Sequence, residues 1–214
     1  ALTVREPLRV ECLPEKPAGV ARLCIHGTPA DAVKFALVEH LPALPDLVVS
    51  GPNTGPNTGV NILYSGTVAA AKEAVRCGVS AVAVSSDLQA PVWDWSACCH
   101  CAKQVVERAL SEVATHRRPF LWNLNVPARP LGDIRGIRVT RMGKSGFTEY
   151  YRPIPGRPEH YSIAGDFHDR DGSADYDVGA LMAGYASLTP LHLDYTDHDA
   201  RRNLLNGAET GLFS

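Results

Sequence analysis

The residues best suited to chemistry lie in one glycine- and asparagine-rich stretch, residues 50–61, with the sequence SGPNTGPNTGVN. Glycines and asparagines each recur there every fourth residue. The recurring residues are Gly51, Gly55, Gly59, Asn53, Asn57 and Asn61. Glycine lets the backbone approach a ligand closely, and an amide side chain offers an oxygen to a hard cation and N–H donors to an anion. The stretch therefore predicts a ligand-binding loop.

The loop leads into Tyr-Ser-Gly-Thr at residues 64–67, where an alanine-rich helical segment starts. A helix N-terminus presents free N–H groups and the positive end of the helix dipole, and Ser65 and Thr67 add hydroxyl groups, so this point could bind phosphate. The alternative is a glycine-rich connecting turn with a serine cap, and the spacing alone does not decide between the two. A Walker-type loop is excluded, because no lysine follows the glycines at the required position.

A second cluster, Cys98-Cys99-His100-Cys101, contains the residue types that bind metals. On a helix, Cys98 and Cys101 fall on the predicted buried face, and no second ligand pair follows at zinc-finger spacing. Core packing is therefore favoured over metal binding. The six cysteines, three of them in four positions, do not resemble a disulfide framework, so they favour reduced thiols and a cytoplasmic location.

An acidic segment contains Asp166, Asp169 and Asp171 followed by Gly172, which resembles half of a calcium loop. The spacing is wrong at Phe167 and no terminal glutamate follows, so a solvated loop is favoured. Three histidines near predicted strand ends are interpreted as structural. They are His26, His192 and His198.

The elements that would position the loop alternate between strand and helix. Apolar runs at residues 47–50 and 80–85 are typical of buried strands of a parallel sheet, and the next strand is predicted over 120–126. Helices are predicted between these strands over 65–77 and 93–116. The other predicted strands are residues 8–12, 21–25, 136–141 and 185–193. The other predicted helices are residues 28–41, 178–183 and 197–206, and a β-hairpin is predicted over 147–161. This order indicates a doubly wound α/β fold, in which ligands bind at the carboxyl ends of the strands.

Length and composition narrow the function further. The chain has 214 residues, of which 45% are hydrophobic and 21% are charged; this indicates one globular domain rather than a disordered chain. The formal net charge of −2 argues against a nucleic-acid polymer as the main ligand. No apolar stretch is long enough to predict a membrane span.

The central stretch continues to residue 71 as SGPNTGPNTGVNILYSGTVAAA, which resembles the signature of the SurE family, the stationary-phase survival proteins. Further blocks agree in order: HGTPADAV at 26–33, NLNVP at 123–127, GIRVTR at 136–141 and GYASLTPLHLD at 184–194. The resemblance implies a Rossmann-like, mostly parallel sheet with helices on both faces, an extended β-hairpin and a C-terminal segment exchanged between protomers. Residues 1–146 would form the core and residues 147–214 the hairpin and oligomerisation segment of the same domain.

The same resemblance implies a metal-dependent phosphatase that hydrolyses nucleoside 5′- and 3′-monophosphates as a homodimer or homotetramer. Its cofactor would be Mg²⁺ or Mn²⁺, held by a tandem aspartate pair, a serine and an asparagine. That asparagine corresponds to Asn53. Four further residues match positions that line the phosphate site of the family: Asn57, Ser65, Gly66 and Thr67.

The family's Asp-Asp-Gly strand and its metal-binding serine align before Ala1, so those ligands are expected to precede residue 1, and the nucleophile is not assigned. Residues 1–214 by themselves are then expected to lack metal-stimulated phosphatase activity. The alternatives are a truncated, catalytically impaired SurE paralogue that keeps phosphate binding and oligomer contacts, or a simple nucleotide-binding module that binds without metal.

Overall fold

The structure, a computed structural model, describes residues 2–87, 94–115, 118–144, 146–168 and 172–209. The strands are β1 (Arg9–Leu13), β2 (Arg22–His26), β3 (Val48–Thr54), β4 (Ala81–Ser86), β5 (Leu121–Val126), β6 (Ile137–Val139), β7 (Gly146–Pro153), β8 (Tyr161–His168) and β9 (Ala186–Leu191). The α-helices are α1 (Pro29–Phe35), α2 (Gly66–Arg76), α3 (Ser96–Val113), α4 (Asp177–Met182) and α5 (His198–Glu209). No helix in these ranges combines the length and apolar character needed to cross a bilayer.

A five-stranded sheet with the order β3-β4-β5-β9-β6 forms the centre of the fold. Strands β3, β4 and β5 are parallel to one another, β9 is antiparallel to β5, and β6 is parallel to β9. The sheet is therefore mostly parallel, and the predicted α/β fold class is confirmed.

Two smaller pairings lie outside this sheet. Strands β1 and β2 form their own antiparallel pair, and β7 and β8 form the predicted hairpin. The prediction of an acidic loop from residue 166 is wrong for residues 166–168, because they continue β8 opposite the start of β7. Asp169 and Asp171 lie outside the described residues, as do Trp93 and His116 at the two ends of the helix predicted over 93–116.

The predicted helix over residues 28–41 is α1 followed by a π-helical turn, Ala36–His40. Its start is a capping box, in which Thr28 Oγ1 accepts from Asp31 N at 3.2 Å and Thr28 N donates to Asp31 Oδ2 at 2.8 Å. Thr3 also donates to Asp31, from its N–H at 2.8 Å and its hydroxyl at 2.7 Å. Burial alone would raise the pKa of Asp31, but the hydrogen bonds from Thr3 and Thr28 outweigh it and hold the pKa well below its ordinary value.

This lowered pKa predicts an acid-sensitive contribution to stability. The folded state holds the Asp31 proton more weakly than the unfolded state, so the contribution is complete above the ordinary carboxyl pKa of about 4 and is lost as the pH falls below it. Urea unfolding at pH 7 and pH 3 should show a smaller acid loss for Asp31→Asn than for the unsubstituted chain. Equal losses in both proteins would contradict this assignment.

Helices cover both faces of the sheet. Helix α3 packs on one face, where Cys98 and Cys101 join the core with Val82, Val84 and Leu124. Helix α2 packs on the other face, where its apolar residues join the next core layer. That second layer contains Val68, Ala71, Ala74, Ala81, Ala83 and Leu121. The packing role predicted for Cys98 and Cys101 agrees with their place in the core.

Burial also predicts which thiols react. It raises the pKa of Cys98 to about 11 and that of Cys101 above its ordinary value. At pH 8, therefore, only about one protein molecule in a thousand carries Cys98 as a thiolate. Cys12 and Cys99 are exposed. With iodoacetamide and EDTA at pH 8, peptide mapping should find Cys12 and Cys99 modified in the folded protein, and Cys98 and Cys101 only in urea. Modification of Cys98 as fast as Cys99 would contradict the buried placement.

Candidate functional site

The face of the sheet under α2 changes in polarity from one end to the other. In β4, Ala81 and Ala83 pack into the core beneath α2, while Ser85 is the next residue on that face. In β5, Leu121 packs into the same core and Asn125 lies further along the same face. Ser85 and Asn125 are fully buried. The carboxyl ends of these strands therefore form a polar site next to the apolar core beneath α2.

Strand register places four polar residues in one row across this edge. Asn53 of β3 is opposite Ser85 of β4, Ser85 is opposite Asn125 of β5, and Asn125 is opposite Ser187 of β9. Neighbouring strands are about 4.8 Å apart, so the side chains of this row lie close to one another. The loop asparagine thus joins a polar row that runs across the sheet.

The side-chain oxygen of Asn53 is the centre of this network. Asn53 Oδ1 accepts from Ser85 Oγ at 2.7 Å, from Thr67 Oγ1 at 2.9 Å and from Asn57 Nδ2 at 3.0 Å. Three of the predicted site residues are therefore in direct contact. The hydroxyl of Thr67 is committed to Asn53, which leaves its backbone N–H for a ligand.

The orientation of the Asn53 amide bears on the predicted metal. Its Nδ2 donates to the carbonyl oxygens of Thr54 at 2.8 Å and Gly55 at 3.0 Å, so a flipped amide would place Oδ1 against two carbonyl oxygens. An amide oxygen has two lone pairs, and three donors already occupy this one. Within the described ranges no group of three or more His, Cys, Asp or Glu residues could hold a metal ion. These residues do not fit a divalent cation as they stand.

Asn57 is held through both its side chain and its backbone. Its Nδ2 also donates to Ser85 Oγ at 2.6 Å, and its backbone N–H donates to Asn125 Oδ1 at 2.7 Å. Its carbonyl oxygen accepts from Asn123 Nδ2 at 2.8 Å and from Asn125 Nδ2 at 3.1 Å. The loop is thereby attached to β4 and β5 at its midpoint.

The N-terminus of α2 lies at the end of the loop. Ser65 caps it, accepting from Val68 N on its hydroxyl at 3.0 Å and from Ala69 N on its carbonyl at 2.9 Å. The backbone N–H groups of Gly66 and Thr67 donate to none of the residues that the structure describes. Two N–H groups at the positive end of an eleven-residue helix form an acceptor site for an anion.

A buried aspartate fixes the other end of the loop. Asp177, which is 0% exposed, accepts from Gly59 N at 2.8 Å, from Gly143 N at 3.1 Å and from Val178 N at 2.9 Å. These bonds join the loop to the start of α4 and to the segment that leads into β7. Backbone N–H donors to a buried carboxylate are strong, charge-assisted bonds.

The structure therefore brings Asn53, Asn57 and Thr67 into one network and places Ser65 and Gly66 beside it on α2. Sequence reasoning missed four residues that build the same site. They are Ser85, Asn123, Asn125 and Asp177. For Ser85, Asn123 and Asn125 the available signal was a polar side chain inside a predicted strand, above all the Asn-Leu-Asn alternation of β5, which puts two amides on one face. Asp177 gave no such signal, because it ends the predicted acidic loop.

The histidines fit their structural interpretation. His26 pairs with Glu11 on β1 through Nε2 at 2.8 Å, and His198 Nε2 lies 2.8 Å from Asp194 Oδ2. The His192 ring accepts from Asp194 N at 3.1 Å. Each ring thus has a local partner in the fold.

Comparisons with known proteins agree with this geometry. The model of the family described as Survival protein SurE matches residues 1–149. The chain is 42% identical over 196 residues to 5′-nucleotidase SurE of Symbiobacterium thermophilum, covering 90% of this chain and 74% of that protein. It is 39% identical over 208 residues to 5′-nucleotidase SurE of Vibrio cholerae, covering 95% and 79%.

A solved structure supports the same relationship. The crystal structure of the SurE protein from Aquifex aeolicus matches with a TM-score of 0.74 at 33% identity, over 95% of this chain and 80% of that one. The match in sequence thus extends to the fold that positions the loop. The chain belongs to the SurE family.

Proposed function

We propose that this protein is a phosphomonoesterase that hydrolyses nucleoside monophosphates, and that residues 51–67 bind the phosphate. The observation that carries the proposal is the pair of N–H groups at Gly66 and Thr67 that have no acceptor among the described residues, beside a loop held by Asn53. The relatives named 5′-nucleotidase SurE support the reaction class. The name of these relatives favours the 5′-monophosphate as substrate, and we propose the 3′-monophosphate as a second one.

The chemistry available to the described residues is binding and orientation. A phosphate ester is an anion, so it would take the N–H groups of Gly66 and Thr67 at the positive end of α2. These donors are held in place by the Ser65 cap and by the bond from Thr67 to Asn53. Donors that are already oriented stabilise charge developing in the transition state without reorganisation. Asp177 is committed to backbone donors and holds the loop in place.

A divalent metal cofactor is considered separately from phosphate binding. The resemblance implies Mg²⁺ or Mn²⁺, but Asn53 Oδ1 would have to give up a hydrogen bond before it could bind either ion. The dependence of the reaction on a divalent metal is therefore tested directly, by comparing EDTA with each ion.

Two further properties are the oligomeric state of the protein and its location in the cell. We propose a homodimer or homotetramer in the cytoplasm, with residues 147–214 making the contacts between protomers. The six free cysteines are compatible with a reducing compartment. Light scattering coupled to gel filtration would measure the oligomer directly.

The reaction is tested with the protein expressed from its complete coding sequence. Phosphate release from 5′-AMP, 3′-AMP and p-nitrophenyl phosphate is measured with EDTA, with Mg²⁺ and with Mn²⁺. We expect release from 5′-AMP, and the EDTA, Mg²⁺ and Mn²⁺ assays measure how far that release depends on a divalent metal. A folded protein that releases no phosphate from any of the three would contradict the proposal. The polypeptide of residues 1–214, assayed in parallel, tests the separate expectation that these residues alone lack metal-stimulated activity.

A further inference from the structure

Asn125 of β5 makes an unusual pair of hydrogen bonds. Its side-chain amide accepts from the backbone N–H of Asn57 at 2.7 Å and donates to the backbone carbonyl of the same residue at 3.1 Å. The two residues are 68 positions apart in the chain, and Asn125 is 0% exposed. A buried side chain thus pairs with both backbone polar groups of one loop residue, as a residue of a neighbouring antiparallel strand would.

This pairing requires an amide. A carboxylate would accept from the Asn57 N–H but would face the Asn57 carbonyl without a donor, and an apolar residue would remove the acceptor of the N–H and one of the two amide donors to the carbonyl. Asn123 shares only the carbonyl, and its Oδ1 has no partner among the described residues. Asn125 is therefore the residue whose side chain bonds to both backbone polar groups of Asn57.

The position of Asn57 affects the N–H groups proposed to bind phosphate through two further hydrogen bonds. Asn57 Nδ2 donates to Asn53 Oδ1, which also accepts from the Thr67 hydroxyl beside the α2 N-terminus. If Asn57 moves, Asn53 loses one of its three donors, and the loop can shift relative to the N–H groups of Gly66 and Thr67. Misplacement by about 1 Å is enough to lower a rate about a hundredfold.

We propose that Asn125 is a positioning residue of the phosphate site, acting through the backbone of Asn57. The inference rests on the proposed function for its kinetic test and stands on the loop geometry for its spectroscopic test. Asn125 is buried, and in this role it acts through the loop rather than by touching the substrate. It sets where the loop residues lie when substrate binds.

The decisive variant is Asn125→Asp, because protonation restores the lost donor. A neutral carboxyl accepts from the Asn57 N–H and donates to the Asn57 carbonyl, whereas the ionised form cannot donate. Burial favours the neutral form, so the introduced carboxyl group is expected to ionise only at a pH above the ordinary carboxyl pKa. Relative to the unsubstituted protein at each pH, kcat for 5′-AMP should rise at least tenfold as the pH falls from 8 to 5, with KM changing less.

Thr189→Val is the matched control. Thr189 is buried on β9 opposite Asn123 and bonds to Thr140 and Ser187, not to the loop. Its substitution disturbs the same polar face while leaving the Asn57 contacts in place. We expect its kcat to stay within about twofold, with no new pH dependence.

The second measurement does not depend on activity. Amide exchange of Asn57 followed by ¹⁵N NMR should be at least tenfold faster in Asn125→Leu than in Thr189→Val, with the β4 amides unchanged. If the unsubstituted protein releases no phosphate, the proposed function fails while this exchange still decides the role of Asn125. Unchanged Asn57 exchange, or an Asn125→Asp pH profile that matches the unsubstituted protein, would overturn the inference.

Discussion

Gly51→Ala is expected to prevent stable folding, with a loss of at least about 3 kcal/mol in the free energy of unfolding. Gly51 has a φ of +113°, and a Cβ built there would lie 2.2 Å from the carbonyl oxygen of Val84 in β4. The contact is with backbone of a central strand, so relief requires β3 to move away from β4. That movement would break the register that puts Asn53 opposite Ser85.

Gly55→Ala separates the contact from the backbone strain. Gly55 also has a positive φ, +89°, but a Cβ there meets nothing within 4 Å. It should therefore cost only the strain of about 1–2 kcal/mol. The check is urea unfolding followed by circular dichroism, together with the soluble yield of each variant. Equal stability of the two variants would show that the close approach of β3 and β4 at Gly51 is not required.

Asn53→Ala is expected to lower kcat/KM for 5′-AMP at least about a hundredfold, because it releases the loop from α2. The substitution leaves the Ser85 hydroxyl, the Thr67 hydroxyl and the Asn57 amide without their shared acceptor. It also frees the carbonyl groups that Asn53 Nδ2 holds. Each unpaired group that is half-buried or buried costs about 1–3 kcal/mol, so the loop should rearrange even where the sheet stays folded.

Asn61→Ala is the control within the same repeat. Asn61 has the same residue type and spacing, but its side chain takes no part in the hydrogen-bond network of the described residues. Steady-state kinetics should place Asn61→Ala close to the unsubstituted protein. If both substitutions lower kcat/KM equally, the repeated amides act alike and the network around Asn53 is not what the site depends on.

Local signals in the chain were enough to predict much of the fold. Thr28 and Asp31 form a capping box around Pro29, the first helical residue, and the structure begins α1 there. Ser65 caps α2 with its hydroxyl, which accepts from Val68 N. An apolar run predicted β4 to within a residue at its start, because a strand buried on both faces needs no polar alternation. Boundaries failed at β8, whose length depends on pairing with β7 rather than on its own composition.

The sequence by itself determined that a glycine- and asparagine-rich loop follows a buried strand and leads into a helix N-terminus, since helix caps and buried strands depend on neighbouring residues. Only the tertiary structure decided which side chains complete the site. Asn57 pairs with Asn125 across 68 residues, and Gly59 pairs with Asp177 across 118. Those partners are chosen by strand order and register, which arise when distant segments pack together. The same packing brings three hydrogen-bond donors to the side-chain oxygen of Asn53. The spacing of the asparagines in the sequence does not predict these contacts.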